Sequence, residues 1–334
     1  MSAADTDPEA GRAPLWRRLL AGSSTQIGLI LLALIVIFAM LRPEAFFSVA
    51  NARNIATDAA VLLVLAVGST YVIVTAGIDL SVGGVLVFAG VLAAKLMNGI
   101  GGTGTGLILA GLAAALASGL AWGLLNGFLV AKAKIPAFIV TLGTLGMSLG
   151  LAYVITGGVD ERDVPFTLIS GLGIGRIAGV PYLVIVSIVV AIVLGIVLAQ
   201  TRFGRYTYAI GSNEEGVRRA GVNVDRHLIK VYALAGTLSG LAGFLSLARF
   251  GTTTIGGHAT DNLNAIAAVV IGGTSLFGGI GTILGTVFGV FIPAVLQTGF
   301  VISEVPAFWQ QVAVGAVLIV AVYLDQLRRA RQRG

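Results

Sequence analysis

Ala76-Gly77-Ile78-Asp79-Leu80-Ser81-Val82-Gly83-Gly84 sets a carboxylate and a hydroxyl among glycines, between two apolar runs. A charge inside apolar sequence is costly unless it is paired or put to use. Glycine there lets a helix break, or lets a neighbour come close. The stretch therefore reads as part of a transport machine more than of a passive anchor. Asp79 is either a functional charge in the membrane or, with Ser81, a cap for the helix that follows. On the second reading Gly77, Asp79, Ser81 and Gly83 shape the backbone near a path and do not bind solute directly.

Composition sets the class. Of 334 residues 57% are hydrophobic and 11% charged, and the mean hydropathy is +0.97. A soluble domain carries about 25% charged residues. So few charges do not cover a water-facing surface of this size, and the chain reads as an all-α integral membrane protein. Its 47 glycines are about twice the usual share of ~7%, as expected of closely packed spans. There is no cysteine, which excludes disulfides and thiolate metal sites. His227 and His258 form no metal-ligand cluster, so no metal is expected. Neither has an evident serine and carboxylate beside it, so no catalytic residues are assigned and no enzyme activity is expected. The net charge of +6 would suggest nucleic acid in a soluble protein; here it bears on topology, and no nucleic-acid partner is expected.

A crossing helix needs about 20 apolar residues. About ten transmembrane helices follow, near residues 25–41, 59–76, 82–98, 107–131, 137–156, 181–200, 230–249, 264–277, 282–302 and 308–325. They divide the chain into a polar N-terminal tail (1–24), a transmembrane domain (25–325) and a basic C-terminal tail (326–334). The first span reads as a retained helix, because no small-residue cleavage site follows it. Basic residues favour the cytoplasmic side. With ten spans and a cytoplasmic N-terminus, the inside segments hold fifteen of the 21 basic residues, among them Lys132, Lys134, Arg202, Arg205, Arg218, Arg219, Arg226 and Lys230. The outside keeps Arg42, Arg53, Arg162, Arg176, Arg249 and, at a span end, Lys95. Both termini are therefore expected in the cytoplasm. Gly111, Ala115, Gly119, Gly123 and Gly127 line one stripe of the fourth span, and Gly281, Gly285 and Gly289 one stripe of the ninth. Such stripes pack helices closely.

The longest charged inside loop runs over 201–230. Within it Ser212 or Asn213 is suited to cap a helix of about two turns. Glu214 and Glu215 fall in the first turn, where the helix dipole favours acids, with Arg218 and Arg219 further on and Gly221 at the C-terminal cap. A short helix on the cytoplasmic face is the expected result.

Three segments together carry a family resemblance: Gly77-Ile78-Asp79-Leu80-Ser81-Val82-Gly83, then Gly211-Ser212-Asn213-Glu214-Glu215 with Arg218-Arg219-Ala220-Gly221-Val222-Asn223-Val224, then the glycine-rich stretch 268–282. In this order, over about residues 45–325, the chain resembles the permease subunits of ribose-type ABC importers. Where that family has two alanines, this chain has Gly216 and Val217. The resemblance implies an importer permease fold of the ribose/vitamin B12 type in the bacterial inner membrane. It implies a second permease subunit, a cytoplasmic ABC ATPase docking on Asn213, Glu214, Glu215, Arg218, Arg219 and Gly221, and a periplasmic or lipid-anchored sugar-binding protein. It implies a pentose- or hexose-class cargo. The chain has no Gly-Lys pair and hence no phosphate-binding loop, so ATP and magnesium are expected on the partner and no cofactor on this chain.

Polar groups recur inside the spans. Ser69, Thr75, Asn126, Thr141, Thr144, Asn264 and Gln297 are candidates to line a translocation path, because hydroxyls and amides exchange hydrogen bonds with a neutral polyol. The bland reading is that hydroxyls bond their own helix and amides bridge neighbours. An ion-coupled secondary transporter of a small polar solute, with Asp79 as the ion-binding carboxylate, is the alternative from a different class; the scarcity of intramembrane acids weighs against it.

Overall fold

The computed structural model describes residues 23–306, Ala259 excepted, with Trp309, Val312, Gly315, Ala316 and Tyr323. The expected tenth span at 308–325 and the tails at 1–24 and 326–334 lie wholly or largely outside the described residues. The described residues are mostly helical. α1 is Ser23–Leu41, α2 Pro43–Phe46, α3 Val49–Val74, α4 Val82–Ile100, α5 Thr105–Ala131 and α6 Ala137–Thr156. A short α7 (Phe166–Leu168) leads through a π-helical turn to a two-residue hairpin, β1 (Arg176–Ile177) against β2 (Val180–Pro181). Then follow α8 (Tyr182–Gln200), α9 (Arg202–Arg219), α10 (Val224–Phe250), a 3-10 turn at Ile255–His258, α11 (Asp261–Ile271) and α12 (Ile283–Ile302). Among the described residues seven helices are long and apolar enough to cross a membrane: α3, α4, α5, α6, α8, α10 and α12. α1 adds a shorter apolar stretch, Ile27–Leu41.

α3 and α10 form the buried centre, with Tyr71, Tyr232 and Phe244 among the largest side chains fully enclosed. α5, α6 and α8 lie outside them and turn Leu120, Phe128, Ile139, Leu142, Ile188 and Ile192 outward, as a lipid-facing surface requires. Both central helices start earlier than their apolar cores. Ser48 Oγ accepts the Asn51 N–H and sets α3 off ten residues before the expected span. Asn223 Oδ1 accepts the Arg226 N–H and sets α10 off six residues early. Capping side chains start a helix wherever free amides need a partner, whereas hydropathy marks only where lipid or core begins.

The small-residue stripe of α5 packs on α10. A Cβ on Gly119 would strike the Gly236 carbonyl, one on Gly123 the Tyr232 carbonyl, and one on Gly127 would stand 2.7 Å from the Ile229 Cα. In α12, Gly285 and Gly289 likewise face the Gly272 and Ala268 carbonyls. Two expectations change. The eighth span, read at 264–277, is the eleven-residue α11. At ~1.5 Å per residue it reaches about 16 Å, half of a ~30 Å bilayer core. The charged loop at 201–230 is mostly helix: α9 fills 202–219, and α10 begins at 224.

Candidate functional site

α3 ends at Val74, with Thr75 as its C-cap, and α4 begins only at Val82, so residues 76–81 interrupt the helix: Ala76 is exposed, Gly77 and Ile78 are half-buried, and Asp79, Leu80 and Ser81 are buried. Ala76 carries φ +62, which with Gly77 closes α3 through N–H bonds to Ile73 O and Val72 O. Beside the break, the Tyr232 hydroxyl would lie 2.7 Å from a Cβ on Gly77. Counted from the α10 cap, Tyr232 is about 14 Å along that helix. The second break, between α10 and α11, meets the first: a Cβ on Gly83 would be 3.2 Å from the Asn262 nitrogen and 3.3 Å from the His258 carbonyl oxygen. Backbone outside a helix is tolerated at membrane depth only where protein or a cavity satisfies it. Here the two breaks and three polar side chains do so.

Asp79 Oδ1 accepts the Ser81 N–H at 2.9 Å and the Ser81 Oγ–H at 2.6 Å. Asn126 Nδ2 of α5 donates to Ser81 Oγ at 2.8 Å, and Thr144 Oγ1 of α6 donates to Asn126 Oδ1 at 2.8 Å. Thr141 Oγ1 reaches the Ile78 carbonyl at 3.2 Å, and Asn262 Nδ2 the Leu80 carbonyl at 3.1 Å. Asp79, Ser81, Asn126, Thr141 and Thr144 are all buried. Ser81 stands at the N-cap position of α4, yet its hydroxyl bonds Asp79 and Asn126 and not the helix amides. The chain of bonds ties the Asp79 segment to α5 and α6 and fills the hydroxyl and amide of its two middle members.

The three motif segments, far apart in sequence, also touch. The Gly279 N–H donates to Val74 O at 2.9 Å, and a Cβ on Gly278 would sit 2.8 Å from the Ala76 nitrogen and 2.9 Å from the Gly211 carbonyl oxygen. Gly278 and Gly279 have φ of +80 and +75, so both a left-handed turn and a close approach require glycine there. Tyr208 OH donates to the Gly281 carbonyl at 2.7 Å.

α9 is broken once, at Asn213 (φ −159, ψ 89), whose Oδ1 accepts the Gly216 N–H at 2.9 Å. The expected cap and start are thus in place. Gly216 and Val217 do not interrupt the turns that follow, and Gly221, at φ +81, closes the helix. Glu214 pairs with Arg218 at 2.8 Å and Glu215 with Arg219, each four residues apart on the exposed face. The Glu214 carboxylate, and after it that of Asp225, hold the Arg218 guanidinium more firmly charged than in water.

The remaining path candidates separate. Ser69 is buried with no partner for its hydroxyl, and Thr75 bonds its own helix at Val72 O. Asn264 is half-buried and Gln297 exposed. The buried amide at the second break is Asn262, which no span reading singled out because it precedes the apolar run; its Oδ1 has no partner. His258 corrects another expectation: Ser246 Oγ lies 2.6 Å from its Nε2 and Asp261 Oδ2 2.6 Å from its Nδ1. The break folds His258 back on α10. Ser246 is only 2% exposed, which leaves a substrate no room beside the hydroxyl, so the trio ties α10 to α11. Lys95, near the end of α4, pairs with Glu161. Among the described residues no group of three or more His, Asp or Glu could hold a metal ion.

The family described as "Branched-chain amino acid transport system / permease component" matches residues 51–322. The ribose import permease protein RbsC of Escherichia coli (strain K12) is 40% identical over 303 residues, 90% of this chain and 92% of that protein. The D-allose transport system permease protein AlsC of the same strain is 35% identical over 298 residues, covering 89% and 90%. The fructose import permease protein FrcC of Rhizobium meliloti is 34% identical over 319 residues, covering 93% and 87%. No solved structure matches the chain. With the family match spanning both helix breaks and the helix capped by Asn213, the chain belongs to this family of transport-system permease components.

Proposed function

We propose that this chain is the membrane-spanning subunit of an ATP-driven importer in the bacterial inner membrane, moving a small neutral sugar of the pentose or hexose class. The observation that carries the reading is the similarity, over nine-tenths of the chain, to permeases named for ribose and D-allose. The family description names branched-chain amino acids. The buried bond chain at Asp79 favours the sugars: an amino acid zwitterion calls for both a fixed cation and a fixed anion, whereas this bond chain offers hydroxyls, an amide and one hydrogen-bonded carboxylate.

Both termini lie in the cytoplasm on this reading, with the half-length α11 and the glycine-rich stretch after it counted together as one of ten crossings. Asn213–Gly221 is the docking helix for a separate ATPase, which binds ATP and magnesium. A second permease subunit and a secreted sugar-binding protein complete the assembly. The solute path passes the junction of the two breaks, where Asp79, Ser81 and Asn126 hold the backbone in shape. Ion-coupled transport by this chain alone has no support in the site, where Ser81 takes up Asp79 Oδ1 and His258 takes up Asp261 Oδ2.

Reconstitution tests the reading. Proteoliposomes holding this chain, its ATPase and a sugar-loaded binding protein are expected to accumulate sugar only with ATP. Accumulation by this chain alone under a proton or sodium gradient would overturn it. Replacing Glu214 and Arg218 with alanine should separate ATP hydrolysis from uptake while the spans stay folded; unchanged uptake would remove the docking assignment.

A further inference from the structure

We infer that Asp225 is the junction through which the docking helix drives the transmembrane core. Its carboxylate, 16% exposed, gathers three cations from two other elements. Arg218 Nη2 of the docking helix donates to Oδ1 at 3.0 Å. Lys134 Nζ donates to the same oxygen at 3.0 Å and Lys132 Nζ to Oδ2 at 3.3 Å, both from the turn that joins α5 to α6. Asp225 itself stands in the first turn of α10. Single exposed ion pairs contribute little. Three cations converging on one sheltered carboxylate are different, because without it they repel one another and the three elements part.

A second observation is independent of charge. Ala131 at the end of α5, Ile210 of α9 and Val224 and Leu228 of α10 share one apolar cluster, with Val217 of the docking helix packed against it. Above this junction α5 and α10 are locked by glycine contacts at Gly119, Gly123 and Gly127. Asn126, on the same stretch of α5, holds Ser81 and through it Asp79. A displacement of the docking helix is therefore delivered to the α5–α10 pair, and from there to the first break. Asp225 is a positioning residue on this account and touches no solute. The inference rests on the proposed docking of an ATPase at Asn213–Gly221.

The test uses the full complex in proteoliposomes and reads three quantities: ATPase captured, ATP hydrolysed and sugar accumulated. D225N is expected to capture the ATPase as wild type does and to hydrolyse ATP, while sugar moved per ATP falls about tenfold, a typical coupling effect. D225E should restore most of the ratio. The pair K132Q/K134Q, on exposed side chains of the turn between α5 and α6, should lower the ratio in the same direction and keeps the test decisive if D225N does not accumulate in the membrane. A wild-type ratio in D225N or in K132Q/K134Q overturns the inference, as does failure of D225E to rescue. Full ATPase capture and uptake in the Glu214/Arg218 double alanine variant would instead overturn the docking reading, whatever Asp225 does.

Discussion

Asn126 shows what one buried amide does between three segments. Its Nδ2 donates a hydrogen bond to Ser81 Oγ and its Oδ1 accepts one from the Thr144 hydroxyl. Its position in an apolar span marked it as worth attention; its partners, 45 and 18 residues away, were not readable there. Asn126→Leu keeps the bulk and leaves both hydroxyls short of a partner. The expected cost is about 1–2 kcal/mol, seen as a lower melting temperature in detergent. Gln297→Leu, on an exposed side chain, should leave melting unchanged within about 0.5 kcal/mol. Asp79 is tested by a pair of variants. Asp79→Asn keeps an oxygen for the Ser81 N–H and hydroxyl, whereas Asp79→Ala orphans both. Uptake should fall in both and further in the alanine variant; wild-type uptake in both would leave Asp79 without a part in transport.

Helix ends and helix contacts decide the next level. The two-turn helix after Asn213 followed from local rules, since cap, acidic first turn and closing glycine are all neighbours in sequence. The turns before it, over 202–212, were missed because Arg202, Arg205 and Thr207 look like loop composition; burial of Gly204, Thr207 and Ile210 against neighbouring elements makes them helical. Asn213→Ala removes the cap at a cost of about 1 kcal/mol. The expected outcome is faster backbone hydrogen exchange over 214–219 with the spans unchanged. The α5 stripe gives a sharper contrast. Gly123→Ala drives a methyl into the Tyr232 carbonyl and should cost about 1–3 kcal/mol by overpacking. Gly143→Ala on α6 meets nothing within 4 Å, so its melting temperature should be that of wild type. Equal melting of the two would mean that α5 and α10 do not pack as described.

For the whole molecule the proposed orientation is open to direct measurement, helped by the absence of native cysteine. Arg219→Cys, at the end of α9 and 78% exposed, should react with an impermeant maleimide only from the cytoplasmic side. Val159→Cys, 68% exposed beyond α6, should react only from outside. The reverse pattern would invert the topology. Sequence by itself determined the class, most span positions, the packing stripes and the Asn213 and Gly221 caps, because hydropathy, helical spacing and capping act within a few residues along the chain. Only the tertiary structure decided that α11 is a half-length helix, that Asn262 and not Asn264 is the buried amide, and that Ser246 and Asp261 flank His258. It alone brought Asp79, Ser81, Asn126 and Thr144 into one chain of bonds and set three cations on Asp225. Those outcomes depend on satisfying backbone and side-chain polar groups where two broken segments meet, and their partners come from whichever helix the packing places alongside.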